Sequence, residues 1–428
     1  MRLGGKRRLM GLLALVCAAW LVAGRASADP MLKPGERLVF YGDSITEQRI
    51  YTRYVMDFFT MRYPGADISF RNAGWGGDTA PGGLNRLQRD VISLKPNVVT
   101  IDFGMNDGGY SAFTPQGFKN YVNGLKGIAD QARAAGIRVA WLTPSPVEKA
   151  EIGPAITGYN ETLEKYSQGV KEVAIAYGGT FADQFHPFVA AIDKVRAERP
   201  TSRISADAVH PGSPGQAIMA WAILKGLSFP RLVSTAEIDA ATGKVAKADH
   251  CTVDAVVVRE RSVKFQRQDQ ALPFFPAEAQ TILKWEPILD ELNEYGLKVT
   301  GLRPGQYDVL LDGAKLARYS NTELSAGVNL SAAVLGAGPV AQQIKDAWKA
   351  LVAKNQFHHD QIFNSFLRNA AFIPDWLELK PDEVQHKREV ALRQRTAHYR
   401  ELQDALRQAI APRPHSMEVV PAQAAKGT

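Results

Sequence analysis

A serine hydroxyl attacks a carbonyl only when a neighbouring base removes its proton, so chemistry is sought first at serines that a turn could expose. In this 428-residue chain, VFYGDSITEQ (39–48) passes from apolar residues straight into Gly42-Asp43-Ser44. Gly, Asp and Ser are strong turn formers, and a turn here would bring Ser44 to the mouth of a sheet. Much later, DAVHPGSPGQ (207–216) sets Asp207 three residues before His210. His210 could accept the serine proton. Asp207, on the same tight turn, could hold the imidazole in the useful tautomer and stabilise its charged form. The oxyanion formed by such an attack needs donors in place beforehand, and one lost donor costs about 2.7–4 kcal/mol of transition-state stabilisation. NAGWGGDT (72–79) offers a glycine-rich loop whose backbone can approach closely at Gly77, and FGMND (103–107) offers the side-chain amide of Asn106.

Taken in order, four blocks resemble those of the SGNH hydrolases, the GDSL esterases and lipases. They are Gly-Asp-Ser at 42–44, Asn-x-x-x-x-Gly-Asp at 72–78, Gly-x-Asn-Asp at 104–107 and Asp-x-x-His-Pro at 207–211. The resemblance covers residues 36 to about 230. It implies a three-layer α/β/α fold around a flavodoxin-like parallel sheet, with no metal and no cofactor. It also implies Ser44 as nucleophile, Asp207 and His210 as the other triad members, and Gly77 and Asn106 as oxyanion donors beside the Ser44 backbone N–H. Ile45 replaces the leucine familiar after Gly-Asp-Ser.

Within this resemblance some alternatives stay open. Gly76 could serve in place of Gly77, which is preferred because it directly precedes Asp78-Thr79. DQFH (183–186) repeats the Asp-x-x-His spacing. The later pair is preferred because Pro211, Gly212 and the following apolar helix complete the last block, which leaves Asp183 to cap a strand or line the pocket. Asp43, Trp75, Gly76, Asp107 and Tyr110 are expected around the substrate. His358 and His359, adjacent on a predicted helix, point in different directions and are expected on the surface rather than on a metal.

These groups need a frame. From 36 to about 230, strand candidates at 37–42, 67–73, 98–104, 138–144 and 180–185 alternate with helical stretches at 49–63, 83–94, 117–136 and 159–178. In the third helix Tyr121, Leu125, Ile128 and Ala132 recur at helical spacing. Such alternation predicts a parallel sheet covered on both faces, with ligands outside the carboxyl ends of its strands. Beyond 232 the rhythm changes. A small β-rich module is expected over 233–332, a helical region over 333–412, and a disordered tail over 413–428.

The composition, 45% hydrophobic and 22% charged, is that of a globular protein. Residues 1–28 read as a secretory signal peptide: a basic start, the apolar core LLALVCAAWLVAG and an Ala-Ser-Ala cleavage site. Its removal takes five basic residues and no acid, lowering the formal charge from +7 to +2. The mature chain is therefore not expected to bind nucleic acid, nor to insert stably in a membrane. Its destination is periplasmic or extracellular. Cys17 leaves with the signal and Cys251 remains alone, buried and inert, so no intrachain disulfide is possible. The expected function is a secreted serine esterase acting on small-molecule or polysaccharide esters, with acetylated carbohydrate as the leading substrate class. A lysophospholipase-like or thioesterase-like enzyme is one alternative, and a non-catalytic glycan-binding scaffold of the envelope is another.

Overall fold

The computed structural model describes residues 31–148, 158–205, 207–260, 262–362 and 380–422; the signal-peptide reading lies outside them. Its first part runs β1 (Arg37–Gly42), α1 (Ser44–Glu47), α2 (Ile50–Arg62), β2 (Ser69–Gly74), α3 (Ala80–Asp90), β3 (Val98–Asp102), α4 (Pro115–Ala134), β4 (Arg138–Leu142), α5 (Tyr159–Tyr177), β5 (Thr180–Ala182), α6 (Phe185–Glu198) and α7 (Ser213–Gly226). The five strands form one parallel sheet in the order β2-β1-β3-β4-β5. This is the flavodoxin-like order, whose switch point lies between β1 and β3. Gly42 pairs with both Gly74 and Asp102, so three chemistry-bearing segments leave the sheet at one level.

Strand periodicity divides the core. Leu38 and Phe40 point to one face, into a cluster with Tyr54, Val55 and Phe58 of α2 and Ile218 and Ile223 of α7. Val39 and Tyr41 point to the other, against Leu87 of α3, Leu125 and Ile128 of α4, and Tyr166 and Val170 of α5. Both faces are covered, which is why β1 and β3 read as continuous apolar runs. The sequence places the fourth block after the last strand candidate, at 180–185; in the fold α6 intervenes between β5 and the Asp207 loop, so that block does not directly follow a strand.

The second part adds β6 (Leu232–Asp239), β7 (Lys244–Asp249), β8 (Cys251–Arg259), β9 (Ser262–Asp269), α8 (Ile288–Leu292), β10 (Glu294–Thr300), β11 (Gln306–Leu311), β12 (Ala314–Ser320), α9 (Asn321–Ala326), β13 (Val328–Asn329), α10 (Ser331–Gly336), α11 (Gly338–Phe357), α12 (Pro381–Ile410) and β14 (Pro414–Pro421). These strands make two sheets, β13-β10-β6-β7 and β12-β11-β14-β9-β8. Arg267 of β9, fully buried, joins them: its guanidinium donates to Ser234 Oγ on β6, to the Gly296 carbonyl on β10 and to Asp269 Oδ1 on its own strand.

Within the tail expected to be disordered, residues 414–421 form a structural strand, and residues 423–428 lie outside the described residues. β14 pairs antiparallel with β11 on one side and β9 on the other, burying His415, Met417 and Val419 on alternate positions. Residues 333–412 are thus an excursion from the β module, which closes only when 414–421 returns to it. His358 is also not a surface residue; it is half-buried with its ring 5.3 Å from that of Tyr399.

The β module packs directly on the α/β domain. Arg62, at the end of α2, donates to the carbonyls of Leu232 at 2.8 Å and Leu292 at 2.7 Å while lying over Phe229. Phe58 meets Phe274 edge-to-face at 5.3 Å.

Candidate active site

The turn after β1 is dictated by space. A Cβ on Gly42 would come within 2.3 Å of Thr46 Oγ1 and 2.5 Å of the Asp102 carbonyl oxygen, so only glycine lets the chain fold back into α1. Ser44 is the first residue of that helix. Asp43 is its N-cap, accepting the Ile45 N–H on Oδ1 at 2.9 Å. Asp43 is only 3% exposed, so it positions Ser44 from below and does not line the substrate as expected. Burial, and next the charge of Asp102, push its carboxyl well above the usual carboxylate range.

Ser44 and His210, 166 residues apart, meet: Ser44 Oγ lies 2.9 Å from His210 Nε2. His210 Nδ1 lies 2.9 Å from Asp207 Oδ2. Asp207 Oδ1 accepts the N–H groups of Val209 at 2.8 Å and His210 at 2.6 Å. Burial alone would raise the Asp207 carboxyl, but the His210 backbone and ring and the Val209 N–H outweigh it and hold it below its ordinary value. The carboxylate therefore stays charged beside the imidazole. With an acceptor on Nδ1, the neutral ring carries its proton there and leaves Nε2 to accept from Ser44.

Asn106 lies just past β3. Its Nδ2 donates to the Asp78 carbonyl at 2.9 Å, and its Oδ1 accepts from Tyr110 Oη at 2.7 Å. Asp78 belongs to the same loop as Gly76 and Gly77, both exposed. Gly77 has φ +72°, a left-handed conformation that glycine adopts without strain. Asn106 is thus tied to the loop bearing the expected backbone donor.

The remaining expected lining residues divide. Trp75 is 45% exposed beside this loop, with the Arg89 guanidinium 5.7 Å from its ring centroid. Tyr110 is half-buried. Asp107 instead holds the start of α3, its Oδ1 accepting the Ala80 N–H at 2.8 Å, and burial pushes its carboxyl up to about 7. Asp183 is taken up by His186, whose Nδ1 lies 2.7 Å from Asp183 Oδ2 and whose Nε2 lies 2.9 Å from Glu164 Oε2. This second Asp-x-x-His pair has carboxylates on both ring nitrogens where the first has a serine on one.

Several supporting residues carried no local signal in the sequence. Arg86 of α3 donates to the carbonyls of Gly42 at 2.9 Å and Ala73 at 2.7 Å and to Asp78 Oδ2 at 2.6 Å, bracing the serine turn against the glycine loop. Glu148, 1% exposed, accepts the N–H groups of Ile204 and Ser205, anchoring the base of the Asp207 loop. Asn72, which the sequence does mark as the first residue of the second block, donates to the Thr46 carbonyl at 2.7 Å, under α1. Among the described residues no cluster of His, Cys, Asp and Glu is fit to hold a metal ion, and no helix is long and apolar enough to cross a membrane.

Residues 40–218 match the GDSL-like lipase/acylhydrolase family model. An acetylxylan esterase of Geobacillus stearothermophilus is 27% identical over 216 residues, spanning 46% of this chain and 95% of that protein. The solved structure of a gut microbial diltiazem-metabolizing enzyme aligns with 91% of this chain and 98% of its own at TM-score 0.74 and 24% identity, a likeness of fold. The α/β domain, β sheets and helices therefore recur together in that architecture. With the four blocks gathered at one sheet edge and the family match laid over them, residues 40–218 form a GDSL-like lipase/acylhydrolase domain, and the protein is an ester-bond hydrolase.

Proposed function

We propose that the protein is an exported serine esterase that removes small acyl groups, acetyl foremost, from carbohydrate esters. The observation that carries the mechanism is the 2.9 Å approach of Ser44 Oγ to His210 Nε2, with Asp207 behind the ring. Ser44 Oγ attacks the ester carbonyl carbon as its proton passes to Nε2. The resulting oxyanion takes hydrogen bonds from the backbone N–H groups of Ser44 and Gly77 and from an Asn106 amide N–H. As the tetrahedral carbon collapses, the C–O bond to the sugar breaks and the departing alkoxide takes the proton from His210. His210 then deprotonates water, which attacks the acyl-Ser44 ester, and the acid leaves as the serine regains its proton.

Carbohydrate as the alcohol is supported by the acetylxylan esterase relative over nearly its whole length, and by Trp75, an exposed ring beside the glycine loop. Export is supported by the pattern of residues 1–28. The test is hydrolysis of p-nitrophenyl acetate and octanoate, together with acetate release from acetylated xylo-oligosaccharide. Acetate esters should turn over much faster than octanoate; the reverse order would favour a lipolytic enzyme. Intact hydrolysis by Ser44→Ala would reject the mechanism. The mass of the protein recovered outside the cytoplasm should correspond to cleavage after Ala28.

A further inference from the structure

We infer that Tyr110 is a positioning residue for catalysis, locking the Asn106 amide in the one orientation that turns an N–H toward the oxyanion. This rests on the proposed role of Asn106 as an oxyanion donor. An asparagine side chain can rotate so that its oxygen and nitrogen exchange places, and the wrong rotamer would turn a carbonyl oxygen toward a developing negative charge. Two contacts prevent the exchange. The Asp78 carbonyl, an acceptor only, lies 2.9 Å from Nδ2; after a flip, two oxygens would face each other there. The Tyr110 hydroxyl lies 2.7 Å from Oδ1 and, donating to it, holds the carbonyl end from the opposite side. One of the two amide N–H bonds is used on Asp78, leaving the second for the substrate. Donation into Oδ1 also polarises the amide and strengthens its N–H groups as donors.

The backbone shows what holds the phenol there. Tyr110 has φ +55°, a left-handed conformation that is uncommon for a non-glycine residue and costs energy. It follows Gly109, also left-handed at φ +61°. The Tyr110 ring packs at 5.3 Å against Tyr159, whose hydroxyl donates to the Met105 carbonyl one residue before Asn106. A phenol held in a strained backbone against this tether returns to the donor four residues earlier. Burial first, then the charges of Asp43 and Asp207, raise its pKa, so it remains a proton donor across the working range.

The test is a double-mutant cycle read with p-nitrophenyl acetate. Tyr110→Phe keeps the ring on Tyr159 and removes only the hydroxyl. It should lower kcat about three- to fifteen-fold, the worth of one hydrogen bond, with KM changed less than about two-fold, because the amide acts on the transition state. In an Asn106→Ala background the same change should have no further effect, while unfolding temperatures confirm that both variants are folded. An equal loss in both backgrounds, a loss confined to KM, or an unchanged kcat in Tyr110→Phe would overturn the inference. Asn106→Ala retaining full activity would overturn the oxyanion reading and this inference with it. A large loss in Asn106→Ala beside an unaffected Tyr110→Phe would overturn this inference alone.

Discussion

Gln216 Nε2 donates to Gln48 Oε1 at 2.7 Å and reaches the Pro211 carbonyl at 3.2 Å, while its Oε1 accepts the Tyr51 N–H at 2.8 Å. One fully buried side chain thus ties the end of the serine turn to the residue after His210. The Ser44–His210 approach depends on two segments at opposite ends of the domain, and this amide is a direct bond between them.

Gln216→Leu should therefore do two things. It leaves the buried Tyr51 N–H without its acceptor, a cost of about 1–3 kcal/mol to be read as a lower unfolding temperature. It also loosens the serine–histidine geometry, so kcat should fall roughly ten- to hundred-fold with little change in KM. A destabilised variant with unchanged kcat would show that the clamp serves folding alone.

On the proposed mechanism, Ser44→Ala and His210→Ala each lower kcat with p-nitrophenyl acetate by at least about a thousand-fold. The two losses should not multiply in the double variant, because the groups act as one unit. Asp207→Asn should cost about a hundred-fold or more, since the amide can favour the wrong imidazole tautomer. Multiplying losses in the double variant would separate Ser44 from His210.

Asp102, at the end of β3, accepts an amide N–H from Gln184 at 2.9 Å, yet burial pushes its carboxyl up to about 7. An unfolded aspartate titrates near ~4. Below that pH both states hold the proton and no penalty exists. As pH rises toward 7 the unfolded chain releases its proton first, so native stability is lost progressively, and fully once the folded group ionises. Asp102→Asn should thus stabilise the protein more at pH 8 than at pH 5, by roughly 1–3 kcal/mol at the higher pH. Calorimetric scans at both pH values check this, and an equal effect at the two would contradict it.

A chain ending after Pro412 loses β14, the strand between β11 and β9. Two exposed strand edges and an opened core should make it aggregate. Deleting 233–428 should do the same to the α/β domain by removing Phe274 from Phe58 and the Leu292 carbonyl from Arg62. Light scattering and far-UV circular dichroism are the readouts; a soluble, cooperatively folding product would contradict the corresponding prediction.

The sequence by itself determined the α/β frame and the candidates for the reacting groups. Apolar runs buried on both faces, helices with period-3.6 stripes such as Tyr121, Leu125 and Ile128, and glycine or proline at the turns are local properties of the chain. So is the Asp207–His210 spacing, because a carboxylate three residues before a histidine can close a tight turn without outside help. DQFH has that same spacing, however, and only the tertiary fold separates them: one imidazole reaches Ser44, the other Glu164. Arg86, Glu148 and Gln216 were illegible for the same reason, since an arginine, a glutamate or a glutamine acquires a bracing role only from the carbonyls and N–H groups that distant segments bring to it. Asp43 and Asp107 carried the right chemistry to face a substrate, but burial turned them toward backbone N–H groups. PHSMEVVP (414–421) has the alternation of a strand, yet a strand exists only where neighbours take up its hydrogen bonds, and those neighbours, β9 and β11, lie more than a hundred residues away.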